Sequence, residues 1–206
     1  MSNTQVGGVI YSARQRPDRA PMNGLSKTAL LIIDVQQGLD DPYYGARNNP
    51  EAERHIAELL TAWRAERRPV IHVKHMSVNP SSRLRPELPG NEFKPEAMPV
   101  EGEPIFQKSV NSAFIGTGLE SYLRSHGIEH VVMAGISTDH CVSSSARTAA
   151  NLGFTVTVVG DATHSFERDG PDGVHYSADV MHGAALASLH GEFATVTTTR
   201  EVLRSS

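Results

Sequence analysis

The chain has 206 residues, 39% of them apolar and 20% charged, with a formal net charge of −4 and a single cysteine. That length and composition fit one globular domain with its own core and exclude a disordered chain, and no apolar run reaches the length of a membrane span. The mild acidity leaves no electrostatic footprint for nucleic acid or an anionic membrane, and one cysteine excludes an internal disulfide.

Residues 1–24 read as a polar N-terminal extension containing Pro, Gly and Arg, without the apolar centre of a signal peptide, so the cytoplasm is the expected compartment. The domain then runs over residues 25–206. It opens with "ALLIID" (29–34), a short Ile/Leu-rich run that predicts a buried strand ending on Asp34. "PEAERHIAELLTAWRAERR" (50–68) predicts a helix with Ile56, Leu59, Leu60 and Trp63 on one face. "PVIHVKH" (69–75) predicts a second strand ending on His75. Its His72 and His75 suggest a metal pair, but residues three apart in a strand point to opposite faces, so at most one lines a pocket.

Residues 76–104 form a 29-residue gap rich in Pro and polar residues, the pattern of a lid or binding loop. "PIFQK" (104–108) predicts a weaker strand ending on Lys108, and "TGLESYLRSHG" (117–127) a helix stopped at Gly127. "HVVMAGI" (130–136) predicts a strand leading through Ser137 into a helix over 138–153 that carries Cys141. "FTVTVVGD" (154–161) predicts the next strand, with Asp161 and His164 at its end. A helix over 177–191 and a weak strand, "FATVTT" (193–198), complete the chain. Strand alternating with helix predicts an α/β fold: a doubly wound, mostly parallel six-stranded sheet with helices on both faces.

Open α/β sheets bind ligands at the carboxyl ends of their strands, which is where Asp34, Lys108 and Cys141 fall. Ser137 or Thr138 can cap the helix, placing Cys141 in a first turn where the dipole and a nearby ammonium favour a thiolate. Such a thiolate attacks carbonyls, and Asp34 could take the thiol proton and return it to a leaving amine. The ordinary readings are a small buried cysteine, an aspartate capping a turn and a solvated edge lysine. His140 adjoins Cys141 in sequence but points about 100° away on a helix, so it makes no local dyad.

These motifs together resemble the isochorismatase-like cysteine hydrolases. "ALLIIDVQQGL", "PIFQKSVNSAF" and "VVMAGISTDHCV" resemble that family's three core motifs in the family's order, and the likeness runs from about Thr28 to Leu203. The resemblance implies an Asp34–Lys108–Cys141 triad and a cis peptide between Ile136 and Ser137. It also implies an oxyanion hole from the backbone N–H groups of Ser137 and Cys141. The family's isochorismate hydrolases typically lack the cysteine, and its nicotinamidases carry an Asp-x-His metal site that "DDPYYGARNNPEAERH" does not contain. The implied activity is therefore hydrolysis of a small-molecule amide, carbamoyl or ureido C–N bond through a thioester, with no metal and no other cofactor. Candidate pocket residues are Tyr43, Tyr44, His75, Phe114, His164 and Phe166. The expected partners are a small substrate and, as is usual in the family, further copies of the chain in a dimer or tetramer. The alternatives are isochorismate-type hydrolysis and a non-catalytic protein that holds a small molecule in the same pocket.

Overall fold

The computed structural model describes residues 27–204, and the extension over residues 1–24 lies outside them. Stiff Val, Ile and Thr side chains favour extended backbone. The runs that carry them form β1 (Thr28–Ile33), β2 (Val70–His75), β3 (Ile105–Lys108), β4 (His130–Ile136), β5 (Thr155–His164) and β8 (Thr195–Thr197), with a small hairpin of β6 (Arg168–Asp169) and β7 (His175–Tyr176). The helices are α1 (Ala52–Ala65), α2 (Leu119–Ser125), α3 (Ser143–Asn151), α4 (Ala178–Leu189) and α5 (Thr199–Arg204).

The main sheet has six strands in the order β3-β2-β1-β4-β5-β8, and every neighbouring pair is parallel. β1 is buried along its whole length and divides two cores by its alternation. Leu31 and Ile33 pack with Met133, Leu119, Leu123 and Phe154 on one face. Leu30 and Ile32 pack with Ile56, Leu60 and Trp63 of α1 on the other. The chain leaves β1 in one direction through β2 and β3 and in the other through β4 and β5. The carboxyl ends of β1 and β4 therefore flank a topological switch point, where open sheets form their binding crevice.

The backbone at that crevice leaves no room for side chains at one position. Gly135 has φ 137°, and a Cβ there would stand 2.0 Å from the carbonyl oxygen of Ile33. Glycine is required both for the dihedral and for the approach of β4 to β1.

β5 departs from expectation. It continues beyond Asp161 to His164, because the β4–β5 register jumps from Met133↔Val158 to Gly135↔Thr163 and the extra residues bulge out. Asp161 sits in that bulge and accepts the Thr199 backbone N–H at 2.7 Å and its hydroxyl at 2.9 Å, at the start of α5. It is a cap for α5 rather than a group on the reactive rim.

The 76–104 segment also departs from a structureless gap. It contains two short 3₁₀ turns, Pro89–Asn91 and Pro95–Ala97. The buried Asn91 amide donates to the carbonyls of His75 and Leu84, at 2.8 and 2.7 Å. Lys94 N–H donates to Val35 and Gln37 N–H to Glu92, both across to the segment that follows β1. Its two flanks are thus tied to β1 and β2 as in a closed surface loop. No helix among the described residues is long and apolar enough to cross a membrane.

Candidate active site

The residue after β1 is Asp34, which adopts φ 53°, a conformation few non-glycine residues hold. β2 ends at His75 and β3 at Lys108, paired with each other in register, so the two side chains leave the sheet side by side. β4 ends at Ile136, and the cis Ile136–Ser137 bond leads into a π-type turn, Thr138–Val142, that runs straight into α3. Four strand ends therefore deliver an acid, an imidazole, an ammonium and a thiol to one point.

Lys108 is buried, and its Nζ lies 2.5 Å from Asp34 Oδ2, 3.0 Å from His75 Nδ1 and 3.3 Å from Cys141 Sγ. An ammonium has three protons and no lone pair, so it spends one on each neighbour. His75 Nδ1 must accept, which puts the imidazole proton on Nε2. The donor atoms of Asp34, His75 and Cys141 lie within 4.8 Å of one another, a spacing that suits a cation. Here the cation at their centre is the Lys108 ammonium itself.

Burial sets the proton affinities. It pushes the Asp34 carboxyl above the usual carboxylate range, with Lys108 pulling back. Burial, followed by the Asp34 charge, pushes the Cys141 thiol up, opposed by Lys108. Burial and then the Lys108 charge hold His75 down at about 4, so it is neutral near pH 7. Burial thus favours the protonated form of both Asp34 and Cys141, with the Lys108 charge opposing it in each case. The sequence reading expected the reverse for the thiol, from a helix dipole. Asp34 Oδ1 is buried and without a hydrogen-bond partner among the described residues. It is an acceptor position ready for the thiol proton.

Side chains that sequence reasoning did not single out, Asp139, His182 and Gln36, help to fix the Cys141 turn and its surroundings. Ser137 occupies the cap position with extended backbone, but its side chain makes no capping bond, contrary to expectation. Its carbonyl instead accepts the N–H groups of His140 and Val142. Thr138, fully buried, pairs its hydroxyl with His182 Nδ1 of α4 at 2.8 Å. Asp139 accepts from Ser165 Oγ at 2.9 Å and faces Arg168 at 2.8 Å. The fully buried Gln36 grips His75 from below, accepting its N–H at 2.8 Å and donating to its carbonyl at 3.1 Å. Asn111, exposed, brings its Oδ1 to 3.9 Å from Sγ. A buried Gln is the one of these that composition could have flagged, since an uncharged polar side chain next to a strand end must find partners.

The other pocket candidates scatter. Tyr44 packs on Phe166 at 5.5 Å between centroids, and Phe166 stands edge-on to His164 at 5.1 Å. His164 is fully buried beside Glu53, Arg47 and Lys94. Tyr43 is half-exposed, in contact with Tyr44 and the Arg83 guanidinium. Phe114 is buried against Phe154 in the core beneath α3. Of these six candidates, His75 is the one placed beside Cys141. His72 turns away to pair with Glu103 at 2.8 Å, as alternation along β2 requires.

Comparison with known proteins agrees with this fold. Residues 28–201 match the model of the isochorismatase domain. The isochorismatase family protein YrdC of Bacillus subtilis is 41% identical over 177 residues, which cover 86% of this chain and 95% of that one. The ureidoacrylate amidohydrolase RutB of Klebsiella pneumoniae is 33% identical over 144 residues, 66% of this chain and 53% of its own. Among solved structures, an isochorismatase-family protein of Chromobacterium violaceum superposes with a TM-score of 0.84 at 46% identity, covering 87% of this chain and 93% of that one. A cysteine hydrolase of Pseudomonas syringae reaches 0.81 at 25% identity, covering 91% and 95%.

Proposed function

This chain belongs to the isochorismatase family and is one of its cysteine hydrolases, and from that premise we propose that it cleaves the C–N bond of a small-molecule amide, carbamoyl or ureido compound. The observation that carries the reading is the single Lys108 ammonium holding Asp34, His75 and Cys141 together, with Asp34 Oδ1 left open. The likeness to RutB supports a ureido or amide substrate.

In the proposed cycle, Cys141 Sγ adds to the substrate carbonyl as its proton passes to Asp34. The backbone N–H groups of Ser137 and Cys141 receive the developing oxyanion. Asp34 then gives the proton to the departing nitrogen, the C–N bond breaks, and ammonia or a small amine leaves a thioester on Cys141. Water adds to the thioester with Asp34 as base, the C–S bond breaks, and the proton returns to sulfur. Lys108 stays cationic throughout and offsets the negative charge as it moves from Asp34 to the oxyanion. The raised Asp34 fits a group that must carry a proton for part of the cycle.

Ammonia release from a panel of small amides and ureido compounds tests this. The wild type should turn over at least one, and Cys141→Ala should lose at least about 10³-fold of that rate while keeping its circular dichroism. Full activity in Cys141→Ala would overturn the mechanism. Silence from the whole panel, together with a thiol inert to alkylation, would favour the non-catalytic alternative.

Self-association is part of the same reading. α4 is apolar on nearly every side, yet only its Ala178 and Leu189 are buried and Val180 is half-exposed. A helix of that kind is ordinarily covered. Sedimentation of the full chain should give a dimer or larger, and a monomer at micromolar concentration would dismiss it.

A further inference from the structure

We propose that Asn111 reads the head group of the substrate and selects carboxamide or ureido termini whose leaving nitrogen carries a proton, over N,N-dialkyl amides and esters; this deepens, and rests on, the amidohydrolase reading above.

The argument starts from which polar groups near Sγ are still free. Lys108 has committed all three protons, and His75 Nδ1 is committed as acceptor. The Asn111 carboxamide differs. Its Oδ1 stands 3.9 Å from Sγ, and that weak contact is the one hydrogen bond its side chain makes among the described residues. It therefore has two N–H donors and most of its acceptor capacity to offer.

The residue is exposed, but the chain beneath it is not loose. The next residue, Ser112, is buried and donates its hydroxyl to Thr148 at 2.9 Å. The N–H of the fully buried Ala113 donates to Ser145 Oγ at 2.9 Å. Both partners belong to α3, the helix that carries the nucleophile turn at its start. The position of Asn111 relative to Cys141 is thus set by one short, doubly pinned segment. Rigid support of an otherwise unoccupied polar side chain at a reacting atom is the arrangement that recognition needs.

Geometry then selects the partner. A carbonyl carbon poised for attack lies about 3–3.5 Å from the nucleophile, which puts its substituent nitrogen within hydrogen-bond reach of a group 3.9 Å from Sγ. A primary amide nitrogen has two protons, so one can face Asn111 Oδ1 while the lone pair remains for the proton from Asp34. An N,N-dialkyl amide has none and sets a methyl group against the carboxamide. An ester offers no donor at all. A site built around such a hydrogen bond penalises the analogue that lacks it, because its own polar group is left unpaired.

The test has two arms. In the first, Cys141 is alkylated by iodoacetamide and by 2-iodo-N,N-dimethylacetamide, each rate being normalised to its reaction with glutathione. The wild type should prefer the primary amide by about tenfold, the value of one such hydrogen bond. Asn111→Ala should abolish the preference. Its reaction with methyl methanethiosulfonate should stay within about twofold, which shows that the thiol is unchanged. In the second arm, the best amide of the panel is compared with its N,N-dimethyl derivative, and Asn111→Ala should lower kcat/KM for the N–H-bearing amide alone. A variant that keeps the wild-type preference, or a wild type that has none, overturns the assignment. Preserved alkylation preference without turnover of any amide would sink the hydrolase reading instead, so the two failures are told apart.

Discussion

Asp34 and Cys141 compete for one proton. The carboxylate raises the thiol's pKa by its charge, and in the proposed cycle the same residue accepts the thiol proton during attack. These two effects separate in Asp34→Asn. Without the negative charge, and with Lys108 unpaired, the thiolate is favoured, so the pH midpoint for alkylation of Cys141 should move down. Turnover should nevertheless fall by about 10²–10⁴, since no group remains to carry the proton to the leaving nitrogen. Alkylation slowed in parallel with turnover would mean that Asp34 activates sulfur chiefly by position. The identities of Asp34, Lys108 and Cys141 were legible in the sequence because each ends or follows an apolar strand. Asn111 and Asp139 were not, because their partners lie far along the chain and neither residue belongs to a periodic apolar pattern.

At the scale of elements, the close approach of β1 and β4 decides where the two halves of the site meet. Gly135 holds that approach, with no space for a methyl group against the Ile33 carbonyl. Gly135→Ala should destabilise the chain by about 4 kcal/mol or more, or leave it insoluble, because backbone must move on both strands. Guanidinium denaturation measures it; a loss under about 1 kcal/mol would show that β4 can shift without cost. The strands were legible from Val and Ile runs, and α1 from its apolar face. The continuation of β5 to His164 was not, since a bulge is a matter of pairing register and leaves no mark in the hydrophobic pattern. The π-type turn at Thr138–Val142 was read as an ordinary capped helix start for a similar reason: Thr138 finds its partner in His182, 44 residues away.

For the whole molecule, the buried histidines make stability depend on acid. His164 is held near 3 by burial and then the Arg47 charge, His130 near 4 by burial and then Arg68, and His75 near 4 by burial and then Lys108. Each folded value lies below the roughly 6.5 of an unfolded chain. Between these values the unfolded state binds protons that the folded state refuses, so this stability is complete above about pH 6.5 and is lost as pH falls toward about 4. Asp34 works the other way, its raised pKa making protonation easier in the folded state, but it is one group against these three and His72, which burial also holds low. Urea midpoints should therefore drop from pH 7 to pH 5. His164→Leu should lessen the drop by about one proton's share, about 1.4 kcal/mol per pH unit, because leucine takes up no proton on unfolding. An unchanged pH slope in that variant would mean that His164 is already protonated in the folded chain.

Sequence by itself determined the class of fold and singled out Asp34, Lys108 and Cys141 as residues that strand ends bring to one rim. Apolar runs of strand length separated by helical patterns admit few arrangements besides a parallel α/β sheet, and such a sheet collects its strand-end residues on one rim. Tertiary structure alone decided the protonation of the site and its company. Which of six pocket candidates stands beside Cys141, whether the thiol or the carboxylate holds the proton, and which loop amide faces the nucleophile all depend on distances of a few ångströms between residues 30 to 110 positions apart. Electrostatic and hydrogen-bond energies vary steeply over such distances, whereas hydrophobic patterning, the signal a sequence carries best, does not.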